Sequence, residues 1–252
     1  MIKPVVAIWI LSLALSGCVT TGDQSRKPSD PKAARDAYIQ LGLGYMQQGE
    51  TDRAKAPLSE ALKLDPNSAS AHTALALVYQ QEGEYPSAEK HFRSALRIDG
   101  NNPRILNNYG AFLLSQERYE EALEHFEKAS TDTLYSERSR VFENLGMTHR
   151  MMGNTEQAKA SFERALRLNS RQPQSMLELA RLEFQEQNYV PAWEYYRRFE
   201  QLSGQNASSL WLGVQLARRF GDHNRAASYA LQLRRLYPSS AEARALKESE
   251  SS

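Results

Sequence analysis

From Arg35 onward, apolar residues recur three and four positions apart, the spacing that puts them on one face of a helix. Tyr38, Leu41, Gly42 and Tyr45 make one such stripe, Gly49 interrupts it, and Ala54, Leu58 and Ala61 make a second before Pro66. The same order returns as Leu75, Ala76 and Tyr79, then Ala88, Phe92 and Ala95, and again as Leu106, Tyr109, Gly110 and Leu113, then Ala122, Phe126 and Ala129. Two extra residues fall between Thr131 and Arg138, which predicts a longer turn, and Phe142, Leu145, Gly146, Ala158, Phe162 and Ala165 resume the series. Met176, Leu179, Ala180, Ala192, Tyr196 and Phe199 follow, and a weaker last set is Leu210, Ala226, Ala230, Leu233 and Pro238. Each pair of stripes predicts two helices, and Gly49, Gly83, Gly153 and Gly221 stand where the first must end and the chain reverse.

A 34-residue period of paired amphipathic helices is the mark of a tetratricopeptide (TPR) array. The expected fold is therefore all-α, a superhelical solenoid of six repeats near residues 35–68, 69–102, 103–138, 139–172, 173–206 and 207–240, with a last solvating helix through Ala245. The physical logic is packing. Gly or Ala at repeat positions eight and twenty lets the two helices of a unit approach, and the large residue at position twenty-four fills the adjoining gap, where overfilling costs about 1 to 3 kcal/mol. Pro57 is discordant: it falls inside an expected second helix and removes a backbone donor, so a kink or a late helix start is predicted there.

Ahead of the repeats, Lys3, an apolar run from Val5 to Leu15 and the sequence Leu15-Ser16-Gly17-Cys18 have the build of a secretory leader, too short to span a bilayer permanently. Leu-Ser-Gly-Cys in that register resembles the bacterial lipobox, which implies a leader at residues 1–17, cleavage, and acylation of Cys18 as the first mature residue. Acyl burial contributes about 0.8 kcal/mol per methylene, and a triacylated cysteine exceeds the two chains that stable anchoring needs. In lipoproteins of this type an aspartate after the cysteine signals inner-membrane retention; Val19 stands there, which implies passage to the outer membrane, with the chain on its periplasmic face. Residues 18–34, polar and bearing Gly and Pro, read as a flexible tether, and residues 247–252 as a polar tail.

Composition narrows the function. The 252 residues hold 31 Lys and Arg against 30 Asp and Glu, and removing Lys3 with the leader balances them, so no global field recruits nucleic acid. Cys18 is the only cysteine, which excludes an internal disulfide and a thiol metal cluster. No HExxH, GxSxG, Walker A or GxGxxG occurs, so no enzyme chemistry, metal, cofactor or small-molecule substrate is expected. His91 and His125 share a repeat position and are read as lying on a solvated outer face, side by side at most; His149 is read as a packing residue. Arg218, Arg219, Arg225, Arg234 and Arg235, interleaved with Trp211, Phe220 and Tyr237, are read as surface arginines whose stems cover apolar neighbours.

In a TPR stack the first helix of each unit lines the concave groove through positions two, five, nine and twelve. Those positions hold Asp36, Ile39, Leu43 and Met46, then Ser70, Thr73, Leu77 and Gln80, then Arg104, Asn107, Ala111 and Leu114, then Arg140, Glu143, Met147 and Arg150. Only the first unit places three sizeable apolar residues, Ile39, Leu43 and Met46, along one expected wet face, which invites an apolar partner segment. The Lys and Asn with which chaperone-binding TPRs hold a peptide carboxylate would fall at Ile39 and Leu43, so that mode is excluded. The alternative is that the tether, or residues near Ala33 and Ala34, folds back over the strip.

The strings ARDAYIQLGLGY from Ala34, LNNYGAFL from Leu106, DTLYSERSRVFENLGM from Asp132, YVPAWEYYRRF from Tyr189 and AASYALQLRRLYP from Ala226 resemble the type IV pilus pilotin family, the PilF/PilW lipoproteins. The resemblance runs over essentially the whole mature chain, with a degenerate sixth repeat. It implies a six-TPR outer-membrane lipoprotein that escorts the type IV pilus secretin subunit and promotes its assembly into a ring; the chain itself is expected to be monomeric. A TPR adaptor in another envelope machine, outer-membrane protein insertion or peptidoglycan synthesis, is the alternative.

Overall fold

A computed structural model describes residues 30–251, and within them every regular element is helical. The helices are α1 Pro31–Gln47, α2 Thr51–Leu64, α3 Ala69–Gln81, α4 Tyr85–Ile98, α5 Pro103–Ser115, α6 Tyr119–Ser130, α7 Arg138–Met151, α8 Thr155–Leu168, α9 Pro173–Gln185, α10 Tyr189–Glu200, α11 Ala207–Arg219, α12 His223–Leu236 and α13 Ala241–Ser251. Odd helices up to α11 pair with the even helix that follows, and each pair packs on the next. The fold is the expected all-α TPR solenoid.

One turn chemistry closes every pair. The second residue after each first helix is left-handed: Gly49, Gly83, Gly153 and Gly221 with φ of 78°, 77°, 79° and 69°, and at the two remaining turns Glu117 and Gln187 with φ of 59° and 65°. The next amide then reaches back five residues, Glu50 to Tyr45 O, Glu84 to Tyr79 O, Arg118 to Leu113 O, Asn154 to His149 O, Asn188 to Glu183 O and Asp222 to Ala217 O, all at 2.8 to 3.0 Å. This satisfies a carbonyl that the helix end would otherwise orphan. Glu117 and Gln187 adopt a conformation that disfavours a Cβ, so the sequence carries no glycine signal at those turns.

Within the pairs the small-to-large logic holds. A Cβ built on Gly110 would lie 2.8 Å from Phe126 Cε1, and one on Gly146 would lie 2.6 Å from Phe162 Cδ1, so the ring occupies the space that the missing side chain leaves. Ala54, Leu58, Phe92, Phe126, Phe162 and Tyr196 are fully buried.

Four expectations change. Pro57 causes no late start: it is buried in the interior of α2, which runs Thr51–Leu64 as α4 and α8 run in their units. The tether expected to reach residue 34 gives way to helix at Pro31, because Asp30 caps the Lys32 amide at 3.0 Å and Pro31 is pre-set for a first turn. Of the expected polar tail, residues 247–251 belong to α13, whose Leu246 is buried and whose Glu250 pairs with Arg218 of α11 and Arg234 of α12. Tyr38 and Leu41, expected in the core, are exposed, since no described helix packs on that side of α1. The connection between α6 and α7 is the longer turn the sequence predicts, and it leaves Leu134 93% exposed.

Candidate partner-binding groove

The N-terminal concave surface is built by α1, α3 and α5, the first helices of three successive units. The 34-residue repeat sets Leu43 and Leu77 at the same position of neighbouring units, and the stacking brings them to one cleft of about 290 Å³. Its other walls are Asp36, Ile39 and Gln40 from α1, Ser70, Thr73 and Ala74 from α3, and Arg104 and Asn108 from α5. Thr73 donates its hydroxyl to Ala69 O at 2.8 Å, so it brings no open donor to the cleft. Arg35 holds the edge together, donating to Asp36 Oδ1 and, at 2.6 Å, to Asp65 Oδ2. That hydrogen bond holds the Asp65 carboxyl below its ordinary range. The cleft therefore has a leucine floor and a rim that carries both charges, Asp36 and an Arg104 without an ion pair among the described residues.

The predicted strip is rearranged. Ile39 is only 5% exposed and packs on Ala61 and Ala71, so it is floor rather than open contact. Leu43 is half-buried and keeps a face in the cleft, while Met46 lies outside it, packed with the cluster of Leu58, Leu75 and Val78. The reason is helical pitch: the side of α1 that would be wet in an isolated pair is partly the seam with α3. Sequence reasoning did not select Gln40, Ala74 and Asn108, which flank the expected positions, and it gave Leu77 a minor part.

Further along, the same surface is closed by side-chain hydrogen bonds. Asn144 Nδ2 donates to Asn107 Oδ1 at 2.9 Å, and Ser175 donates both its amide and its hydroxyl to Glu143 Oε2 at 3.1 and 2.8 Å. Glu178, 2% exposed, meets Arg150 Nε at 3.2 Å and accepts from Gln174 Nε2 at 2.9 Å, and Arg181 donates to Ser208 at 2.7 Å.

His91 and His125 differ from their reading. His91 is half-buried, faces His72 with Nδ1 to Nδ1 at 2.9 Å, and stacks on Tyr79; burial pushes it down to about 4. His125 packs on Tyr109 instead of neighbouring His91, and burial lowers it also. His149 is half-buried, with Nδ1 lacking a hydrogen-bond partner. Among the described residues no group of three or more His, Cys, Asp or Glu is placed to hold a metal, and no helix is long and apolar enough to cross a membrane. Of the C-terminal arginines, Arg225 pairs with Asp222 and lies over Trp193, and Arg219 lies over Tyr189. Cys18 and Val19 lie outside the described residues.

Tetratricopeptide repeat models match residues 39–103, 102–171 and 144–207. The type IV pilus assembly protein PilF of Pseudomonas aeruginosa is 55% identical over 237 residues, 93% of this chain and 94% of that protein. This chain belongs to the PilF/PilW family of TPR proteins. The solved structure of Pseudomonas aeruginosa PilF superposes with a TM-score of 0.86 over 87% of this chain and 99% of that one. PilW, a widely conserved type IV pilus biogenesis factor, is 29% identical with a TM-score of 0.75, covering 84% of this chain and 97% of its own. YrrB, a TPR protein with an unusual peptide-binding site, shares the fold alone at 17% identity and a TM-score of 0.58, over 76% of this chain and 97% of its own.

Proposed function

We propose that this chain is an outer-membrane pilotin lipoprotein, a binding scaffold and not a catalyst, that engages the type IV pilus secretin subunit and promotes its outer-membrane localisation and assembly into multimers. The observation that carries this reading is the identity to PilF over nearly the full length of both chains. The chemistry agrees with it. A secretin monomer in transit exposes apolar surface and unpaired strand edges until its ring closes. A leucine-floored cleft on a lipid-tethered solenoid can shield one such segment, with Cys18 as the anchor and Val19 permitting export to the outer membrane.

Burying one side chain of leucine size contributes roughly 1.5 to 3 kcal/mol, so losing one contact weakens binding by about tenfold or more. Leu77→Ser and Leu43→Ser are the tests, since both leucines are half-buried and keep a face in the cleft, Leu43 beside the core of the first unit and Leu77 beside the next core cluster. Secretin multimers from cells carrying Leu77→Ser should fall well below wild type while the protein keeps its melting temperature within a few degrees. Full multimer yield from Leu43→Ser and Leu77→Ser combined would remove the cleft from the mechanism. Cys18→Ser should release the chain from outer-membrane fractions, and unchanged fractionation refutes the anchor; Val19→Asp should strand it in the inner membrane, and a wild-type distribution refutes the sorting role.

A further inference from the structure

Many arginines of this solenoid face a carboxylate: Arg53 with Glu50, Arg93 and Arg118 with Glu89, Arg234 with Glu250. Arg197 and Arg198 on α10 and Arg219 at the end of α11 form no ion pair among the described residues, and they gather around one apolar surface. Val190 there is 60% exposed and Phe220 44% exposed, side by side in one patch. A cleft of about 480 Å³ opens on one side of them, floored by Trp193 and flanked by Arg197 and Arg198. A second of about 430 Å³ opens on the other side, beside Arg219. Glu194 is the single acidic residue lining either cleft.

The aromatic floor is held rigidly. Trp193 stacks on the buried Tyr196 at 5.9 Å with the rings 10° apart and contacts Phe220 at 5.9 Å, and the Arg225 guanidinium lies 5.5 Å over its ring. Arg219 sits 4.3 Å over Tyr189. A fixed Trp ringed by arginines is the composition of binding hot spots, and preformed geometry lowers the ordering cost of association. Planar guanidiniums offer paired donors to carboxylates.

We infer that this surface is a second docking site, for an acidic protein segment that seats one aromatic or aliphatic side chain against Trp193 while its carboxylates meet Arg197, Arg198 and Arg219. Charge complementarity selects the occupant. The recess between the cations suits a side chain, whereas a flat anionic bilayer would touch the arginine tips and leave the floor empty. The groove at the other end of the stack is lined by α1, α3 and α5 alone, so both sites can be filled at once, and a partner here need not compete with the secretin segment.

The test uses the full-length protein in detergent and a dye-labelled eight-residue peptide with one phenylalanine among aspartates and glutamates, read by fluorescence anisotropy. Saturable binding is expected, weakened about tenfold by Arg197→Glu with Arg198→Glu, and weakened by salt as charge pairing requires. A matching lysine peptide should bind the reversed variant better than it binds the native chain. Circular dichroism checks that the variant is folded, and Arg197→Gln with Arg198→Gln replaces it if it is not. No binding up to about 1 mM, a Kd beyond the range of weak specific contacts, overturns the proposal. So does equal affinity for a glutamine-substituted peptide, indifference to charge reversal, or retention of the chain by phosphatidylglycerol vesicles that depends on Arg197 and Arg198 when the peptide does not bind.

Discussion

Two stretches of one concave surface, made by the equivalent first helices of successive repeats, do opposite things. At the N-terminal end, positions nine of the first two units are Leu43 and Leu77, and the space between α1, α3 and α5 stays open. In the middle, position five becomes Asn107 and Glu143, and with Asn144, Ser175 and Glu178 these residues tie each first helix to the next. The backbone is nearly the same in both. What differs is whether side chains spend their bonding capacity inside the stack or leave it for a partner, so a repeat fold gains a site where its internal cross-links stop.

The largest effect is expected where that closure is most buried. Glu178→Leu removes the carboxylate that Arg150, Arg181 and Gln174 share, and leaves Arg150 partly enclosed without its partner. A loss of about 2 to 4 kcal/mol is expected, read as a fall in chemical-denaturation midpoint, and it should leave peptide or secretin binding by the folded protein intact. A loss within experimental error would mean that the central ladder is ornament on an already stable stack.

Next in size is a cycle on the asparagine pair. Asn144→Leu leaves the buried Asn107 oxygen without its donor and should cost about 1 to 3 kcal/mol, whereas Asn107→Leu with Asn144→Leu removes both partners and should recover most of it. Additive losses would contradict the view that the bond, rather than the volume, matters there.

Acid sharpens the contrast in another way. Burial holds His91 at about 4 when folded, below the ordinary histidine value of 6.5, so the unfolded chain binds a proton in a window where the folded one does not. Stability is therefore full above pH 6.5 and declines as pH falls toward 4, by about 1 to 2 kcal/mol once partial solvent exposure is allowed for. His91→Gln should flatten part of that decline in urea titrations at pH 7 and pH 4.5; an unchanged slope would move the effect to His72, His125 or His149, which burial also lowers.

The smallest effect should be a gain. Glu117→Gly and Gln187→Gly relieve left-handed residues and should each stabilise by under about 1 kcal/mol, the cost of the αL Cβ offset by glycine's greater unfolded freedom. Thermal melts raised by a degree or two would confirm it, and a drop would show that these side chains make compensating contacts.

Much of this fold is legible in the sequence because its determinants are local and periodic. The pairing of Gly110 with Phe126 and of Gly146 with Phe162 follows from a fixed spacing, and four of six turns announce themselves by glycine. Glu117 and Gln187 are silent, since the turn is enforced there by the helices on either side and not by the residue. The site is less legible for a related reason. Ile39 and Leu43 share one stripe, yet the neighbouring helices cover the first fully and the second only in part, and that division depends on how far α3 leans across α1. The asparagine and glutamate ladder joins residues more than thirty positions apart, which no reading of one helix face reveals.

The two ends of the stack are finished differently. Helix α13 lies over α11 and α12 and buries Ala243 and Leu246, whereas α1 leaves Tyr38 and Leu41 facing outward among the described residues. In a one-dimensional lattice whose stability is a sum of nearest-neighbour terms, the end with one neighbour is the end that melts first. Among the described residues, α1 is thus the front with an uncovered face and α13 the covered terminus. A segment seated between Leu43 and Leu77 supplies the missing neighbour term at that front, so occupancy should be visible as slowed amide exchange in α1 before it is visible anywhere else in the molecule.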